Sequence, residues 1–417
     1  MKKYKIAKLL IIFFILLCTV TSLYYGDSLL LGSFSSFDND DVKYLRSAET
    51  LIETGKLTYK DVNKSTVFIM PGIVFFLTPF VRLFGMEGAT VFIRISQAII
   101  QGITLYLIFK IYLKLFNHKV ALIGLILNII YLPNIYITTV ILTETLFIFF
   151  LVSCIYFLIQ AVNTKNKKTY FIAGVFWALA TMFRASIALL PVVVFFVWLM
   201  HKYAIKEMIS FAIIALIPFL ILFTPWWIRN YIQFDRFIPF TLSSGNPMLQ
   251  GVFINNNVDY ELIAKLNDEN LVYTNDEINN DIVERKMASK VFEYYLKNDT
   301  ENYIKWFLFG KTVNNVKSPY YGELYGIKFE TVRIVHLILV ILSIIGMLKA
   351  KSKEKYLIIG LWIYFIVIHI PFLSYVRYLY PIMPLIIPMV GCCLNVGASI
   401  TRPYSRGRRP RRPVLLR

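Results

Sequence analysis

Long uncharged runs of Leu, Ile, Phe and Val dominate the chain, separated by short clusters of charge. Ten of these runs approach the ~20 residues that a helix needs to cross a bilayer. They lie near 9–23, 91–113, 120–140, 142–161, 169–184, 186–201, 208–226, 333–349, 355–372 and 379–399. The pattern predicts an all-α polytopic membrane protein of about ten transmembrane helices. A transmembrane barrel would instead show short alternating segments. An eleventh apolar run, around 66–84, is interrupted by Pro71-Gly72 and Pro79. Counting it as a crossing would put Lys165/Lys167/Lys168 and Lys349/Lys351/Lys353/Lys355 on the outer side, against the positive-inside rule. It is therefore expected to lie in the outer interface.

Outside the spans the period changes. In "SFDNDDVKYLRSAETLIETG", residues 36–55, Asn39 is placed to cap a helix with Asp40 and Asp41 in its first turn. Val42, Leu45, Ala48, Leu51 and Ile52 then form one apolar stripe and Gly55 ends the helix. A second amphipathic helix is expected from Asp276 to Lys297, with another beginning at Thr300.

Charge sets the expected orientation. Lys2, Lys3, Lys5 and Lys8 precede the first span, which has no small-residue cleavage site behind it and reads as a retained anchor. With both termini inside, the net charge of +19 divides into +21 inside and −2 outside. Positive-inside sorting explains the basic balance without nucleic acid. Only 17% of residues are charged, against about 25% in a soluble domain. The chain divides into residues 1–226, with a first outer loop at 26–90; a second outer loop at 227–332; C-terminal spans at 333–400; and a basic tail at 401–417. The expected location is the cytoplasmic (inner) membrane of a bacterial-type cell. No internal repeat of the transporter kind is visible. Cys18, Cys154, Cys392 and Cys393 all fall in apolar spans and are too scattered for a zinc site. Neither a Gly-rich phosphate loop nor an HExxH helix occurs.

The candidate chemistry gathers at the outer ends of the spans. The acids are Asp38, Asp40, Asp41 and Glu144; the arginines are Arg94, Arg184, Arg229 and Arg377. Charges this close to hydrocarbon usually face a cavity or a partner. Guanidinium groups suit phosphate because they stay ionised and bind two oxygens. Each arginine alone is equally consistent with snorkelling to the interface, and the aspartates with capping alone.

Six segments resemble one family in order, from about residue 5 to 395. "DDVKYLRSAETLIETGKL" resembles the first outer loop of the GT-C glycosyltransferases, with Asp40, Asp41, Tyr44, Ala48 and Gly55 at the matching positions. "MPGIVFFLTPFVRLFG" is similar to the Pro-rich helix that follows. "LTETLFIFFL" and "AGVFWALATMFRASIALLP" resemble later spans, "PWWIRNYIQFDRFIPFTLSSGN" the exit into the second outer loop, and "RYLYPIMP" the last Arg-Tyr-x-x-Pro segment. The resemblance is to the protein O-mannosyltransferase and lipid A aminoarabinose transferase branch, especially its smaller bacterial members. Ile69-Met70 stands before Pro71 where the lipid A members often carry a charge, which argues against their acceptor.

The resemblance implies transfer of a sugar from a polyprenyl-phosphate donor to an acceptor hydroxyl on the outer face, with inversion. The acceptor would be an envelope glycan, lipid or protein. Asp40 aligns with the catalytic aspartate, with Asp41 as a supporting acid. Glu144 would hold an acceptor hydroxyl or a metal; the sequence names no certain cofactor and leaves a divalent metal open. Arg377, Arg229, Arg184 and Arg94 are the candidates for the donor phosphate. Two other readings fit the layout: an outer-leaflet polysaccharide polymerase or ligase, and a lipid or sugar transporter or flippase.

Overall fold

The computed structural model describes residues 2–267, 271–353 and 355–394. The basic tail at 401–417 lies outside the described residues. All regular structure among the described residues is helical.

Among the described residues, six helices are long and apolar enough to cross a membrane. A seventh crossing forms if the bent pair α4 (His118–Ile130) and α5 (Leu132–Thr139) counts as one. The other long elements are α1 (Lys2–Tyr25), α3 (Gly72–Leu115), α6 (Glu144–Thr164), α9 (Ile205–Phe234), α15 (Phe329–Lys349) and the segment Val376–Cys393. Three shorter apolar helices, α7 (Lys167–Phe183), α8 (Leu190–Met200) and α16 (Lys355–His369), fill the remaining expected positions. The chain is a multi-pass membrane protein.

Proline and glycine explain where the expected spans break. The pair α4/α5 bends by 58° at Tyr131, directly ahead of Pro133 in the first turn of α5. Pro381, Pro384 and Pro388 cut the last span into single turns of 3₁₀ and α helix. The expected interfacial helix at 66–84 begins only at Gly72 and runs into the next span. The break is at Gly85, whose φ of +69° and ψ of 172° suit a residue without a Cβ. Close packing uses glycine elsewhere: a Cβ on Gly174 of α7 would collide with the Ala215 backbone of α9, and one on Gly346 of α15 with Met389.

The amphipathic helix of the first loop forms as its pattern predicts. This is α2 (Asp40–Thr54), with Asn39 accepting from the Asp40 N–H and Gly55 in the left-handed C-cap. Val42, Leu45 and Ala48 are buried against α3. The second loop builds a small core of its own. Its helices are α10 (Gly245–Gly251), α11 (Tyr260–Leu266), α12 (Glu277–Asn298, capped by Asp276) and α13 (Thr300–Ile304). They enclose Leu249, Phe253, Leu262, Met287, Val291 and Tyr303. Helix α14 (Lys311–Val316) docks this unit on the bundle: the buried Lys311 Nζ donates to the Gly251 carbonyl (2.8 Å) and the Ile370 carbonyl (2.5 Å).

Helix α6 fixes which loops share an end of the bundle. Its first residue, Glu144, bonds to Arg184 and Arg377. Just past its last turn, Lys165 pairs with Glu207 at the start of α9 (2.7 Å). Of the eight charged residues expected to gather at one end, Asp40, Glu144, Arg184 and Arg377 meet, and Lys165 lies at the other end of α6.

Candidate active site

Four charged side chains from four elements form one continuous network. Asp40 comes from the first turn of α2, Glu144 from the start of α6, and Arg184 from the end of α7. Arg377 comes from the 3₁₀ turn Val376–Tyr378. Arg377 Nη1 donates to Asp40 Oδ2 at 2.8 Å. Its Nη2 donates to Glu144 Oε2 at 3.1 Å, and its Nε to Glu144 Oε1. Arg184 Nη2 donates to Glu144 Oε1 at 2.8 Å and its Nε to Thr143 Oγ1 at 3.1 Å. Two carboxylates and two guanidinium groups thus neutralise each other. The forked donors of arginine allow one side chain, Arg377, to serve both acids at once.

Exposure separates the two acids. The Asp40 side chain is 33% exposed, whereas that of Glu144 is fully buried beneath the arginines. Of the two, only Asp40 is open to solvent. Its other oxygen, Oδ1, accepts from the Tyr59 hydroxyl at 2.5 Å. Burial acts to raise the Asp40 carboxyl. The Arg377 charge, with the Tyr59 and Arg377 hydrogen bonds, outweighs that effect and holds it below the usual carboxylate range. Tyr59 itself is pushed up by burial, and the charge of Asp40 adds to this, so it stays a neutral donor. Its ring lies between Tyr44 and Phe68, with centroids 5.6 Å away on each side.

The remaining candidates stand apart from this network. Asp41 is fully buried, and its oxygens accept from the backbone N–H groups of Leu31 (2.6 Å) and Gly32 (3.2 Å). Asp38 accepts from Ser33 N–H at 2.9 Å on the exposed loop. Arg229 donates to the carbonyls of Thr66 (2.8 Å) and Leu57 (3.4 Å) and to Asn230 Oδ1 (3.0 Å), clamping the loop between them. Arg94 is fully buried in α3, and among the described residues none of its three guanidinium nitrogens has a hydrogen-bond partner. Sequence reasoning missed Tyr59. Its only signal was an aromatic ring within the polar stretch 56–64, away from any apolar stripe.

No three His, Cys, Asp or Glu side chains come together as a metal-ligand set among the described residues. Asp40 and Glu144 each accept from guanidinium nitrogens, so this donor set does not fit a divalent metal.

Residues 70–228 match the family model for dolichyl-phosphate-mannose-protein mannosyltransferase. Solved membrane enzymes match over nearly the whole chain. One is the archaeal oligosaccharyltransferase AglB from Archaeoglobus fulgidus, in complex with an inhibitory peptide and a dolichol-phosphate. It has 14% identity, covers 93% of this chain and 50% of its own, and gives a TM-score of 0.54. The likeness is one of fold. ArnT from Cupriavidus metallidurans, bound to undecaprenyl phosphate, gives the same TM-score of 0.54 at 12% identity, over 92% of this chain and 60% of that one. No curated protein matches the chain significantly. The present chain spans about half to 60% of the length of these solved proteins. The family match covers Glu144, Arg184 and the helices α3 to α8 with most of α9, whereas Asp40, Tyr59 and Arg377 fall outside it. The site therefore draws on both sides of the matched segment.

Proposed function

We propose that this chain is a GT-C-type glycosyltransferase that moves a sugar from a polyprenyl-phosphate donor to an acceptor hydroxyl, with inversion, on the outer face of the cytoplasmic membrane. The observation that carries this reading is the Asp40–Arg377 pair: a partly exposed carboxylate 2.8 Å from a guanidinium whose fork suits a phosphodiester. The solved proteins of this fold that were captured with dolichol-phosphate and undecaprenyl phosphate support the donor class.

The roles follow from the network. Asp40 is the general base. With the donor absent, it is held by Arg377 and is a weak base. When the donor phosphate takes the Arg377 fork, Asp40 Oδ2 is released and its basicity rises. The acceptor oxygen then bonds to the anomeric carbon as its proton passes to Asp40. The bond from that carbon to the phosphate oxygen breaks, and polyprenyl phosphate leaves with the electron pair. Arg377 stabilises the charge on the leaving phosphate, and Arg184 adds a second cation at the same place. Glu144 positions both arginines. Tyr59 holds Asp40 in place through Oδ1. In this reading the first outer loop, 26–90, carries the base and the second, 227–332, shapes the acceptor side. The termini lie in the cytoplasm.

The test is transfer from a radiolabelled sugar polyprenyl phosphate by purified, folded protein. Asp40→Asn keeps the shape and removes the base, and should lose roughly 10²–10⁴-fold in rate in protein that still folds, with a melting temperature lowered by the loss of the charge paired with Arg377. If the variant keeps more than about a tenth of wild-type turnover, against that expectation, the base is elsewhere.

A further inference from the structure

A cleft of about 600 Å³ separates the two loops of the site end. Its volume falls within the roughly 300–1,000 Å³ of small-molecule sites. One wall is the first-loop stretch 60–68; the other is built from the start of α10 and the 273–284 stretch leading into α12. Hydrogen bonds between distant parts of the chain brace the two walls. Thr66 Oγ1 donates to Glu277 Oε2 at 2.9 Å, Lys64 Nζ to the Asn275 carbonyl at 3.2 Å, and Leu242 N–H to the Val67 carbonyl at 2.9 Å. The cleft is therefore a built feature of the fold rather than a gap between loose loops.

Its lining has a definite chemistry. Neither Val, Leu, Ile nor Met contributes to it, and its apolar lining is limited to Phe68, Pro247 and the Tyr273 ring. Amide and carboxylate side chains dominate, among them Asn246, Asp61 and Glu284. The Tyr273 ring, 55% exposed, provides an open aromatic face. Four carboxylates oppose two lysine ammonium groups, which disfavours an anionic ligand. Amides and carboxylates that take hydroxyl groups, beside a ring that takes a C–H face, are what an uncharged sugar chain requires.

The cleft also points toward the chemistry. At its inner wall Lys60 Nζ lies 3.9 Å over the Phe68 ring. Phe68 stacks on Tyr59 with an interplanar angle of 15°, and the Tyr59 hydroxyl bonds to Asp40. One stacked pair of rings separates the cleft from the proposed base.

We infer that this cleft is an acceptor subsite for a neutral, polyhydroxylated glycan chain, which it holds away from the reacting hydroxyl. Its place in a reaction rests on the glycosyltransferase reading above; its ability to bind does not.

The experiment is retention of the full-length protein, in lipid nanodiscs, on an array of neutral oligosaccharides, uronate-bearing oligosaccharides and oligolysine peptides. Neutral oligosaccharides should be retained. Tyr273→Ala should weaken that binding about tenfold, the loss of one stacking ring, and Glu284→Gln should weaken it by a smaller factor. Tyr273 is exposed enough that its removal leaves the fold intact, and Glu284→Gln preserves shape. The inference is overturned if no neutral oligosaccharide is retained, if both variants bind like the wild type, or if uronates or oligolysine are retained instead. Binding on the array needs no transfer, so its result stands independently of the Asp40→Asn assay.

Discussion

Asp40 and Asp41 are neighbours in the first turn of α2, yet they have opposite surroundings. Asp40 faces the mouth of the bundle, pairs with Arg377 and Tyr59, and has its carboxyl held low. Asp41 faces inward and accepts from Leu31 and Gly32 N–H groups. Burial pushes its carboxyl up, against those backbone hydrogen bonds. Successive residues on a helix point about 100° apart, so one acid looks at the site and the other at the loop that precedes it. A pair of acids at a helix start is thus not one catalytic unit. One can supply reactivity while the other holds the chain that presents it.

The sharpest way to break this contrast is to remove what keeps Asp40 paired. Glu144→Gln leaves Arg184 and Arg377 sharing one buried neutral side chain. Breaking one partner of a buried ion pair costs about 3–5 kcal/mol, so the variant should melt well below the wild type and lose most transfer even where it folds. A thermal melt by size-exclusion and the transfer assay check this together. A stable, inactive variant would mean that Glu144 acts on the substrate rather than through the arginines.

The next effect is on pH dependence. With Arg377 present, the ionised Asp40 carboxylate stabilises the fold above the ordinary carboxylate range, and that stability is lost as pH falls through its lowered value. Arg377→Gln removes the charge, and burial then moves Asp40 upward. The acid limb of kcat/KM should shift to higher pH, along with a lower plateau. Arg377→Lys should keep the limb near its wild-type position but lower the plateau, because lysine retains the charge without the fork. A profile in Arg377→Gln that keeps the wild-type limb would show that Arg377 does not set the state of Asp40.

Much of this was legible in the sequence. The cap at Asn39, the stop at Gly55 and the inward stripe of α2 are local, and local patterns survive folding. So does the inference that Asp40, Glu144, Arg184 and Arg377 share one end, since it rests only on span parity. What the sequence hid was partner choice. Four arginines looked alike as candidates, but only two reach the acids; Arg229 clamps carbonyls and Arg94 is buried without a partner among the described residues. That distinction depends on contacts between residues 40 to 337 positions apart. Tyr59 was hidden for the same reason: its partner, Asp40, is 19 residues away across a loop with no periodic pattern. Span ends were misread where Pro133, Pro384 and Gly85 bend or break helices that hydropathy alone treats as continuous or separate.

The smallest effect expected is that of Asp41→Asn. The amide keeps one acceptor oxygen and loses the other, so one of the Leu31 and Gly32 N–H groups is left without its bond. An unsatisfied buried donor costs roughly 1–3 kcal/mol, partly offset because a neutral amide is easier to bury than a carboxylate. The net loss should be about 1 kcal/mol, with transfer by the folded fraction unchanged. The loss should also depend on pH in a defined direction. The Asp41 carboxyl is raised in the folded state, so the stability it contributes is complete at acid pH and declines as pH rises through its folded value. The Asn variant should therefore trail the wild type most at acid pH and approach it toward neutrality. Thermal melts across that range, paired with initial rates of transfer, measure both halves. If Asp41→Asn instead lowers the rate as far as Asp40→Asn while melting normally, the two acids work as one unit and the division between them fails.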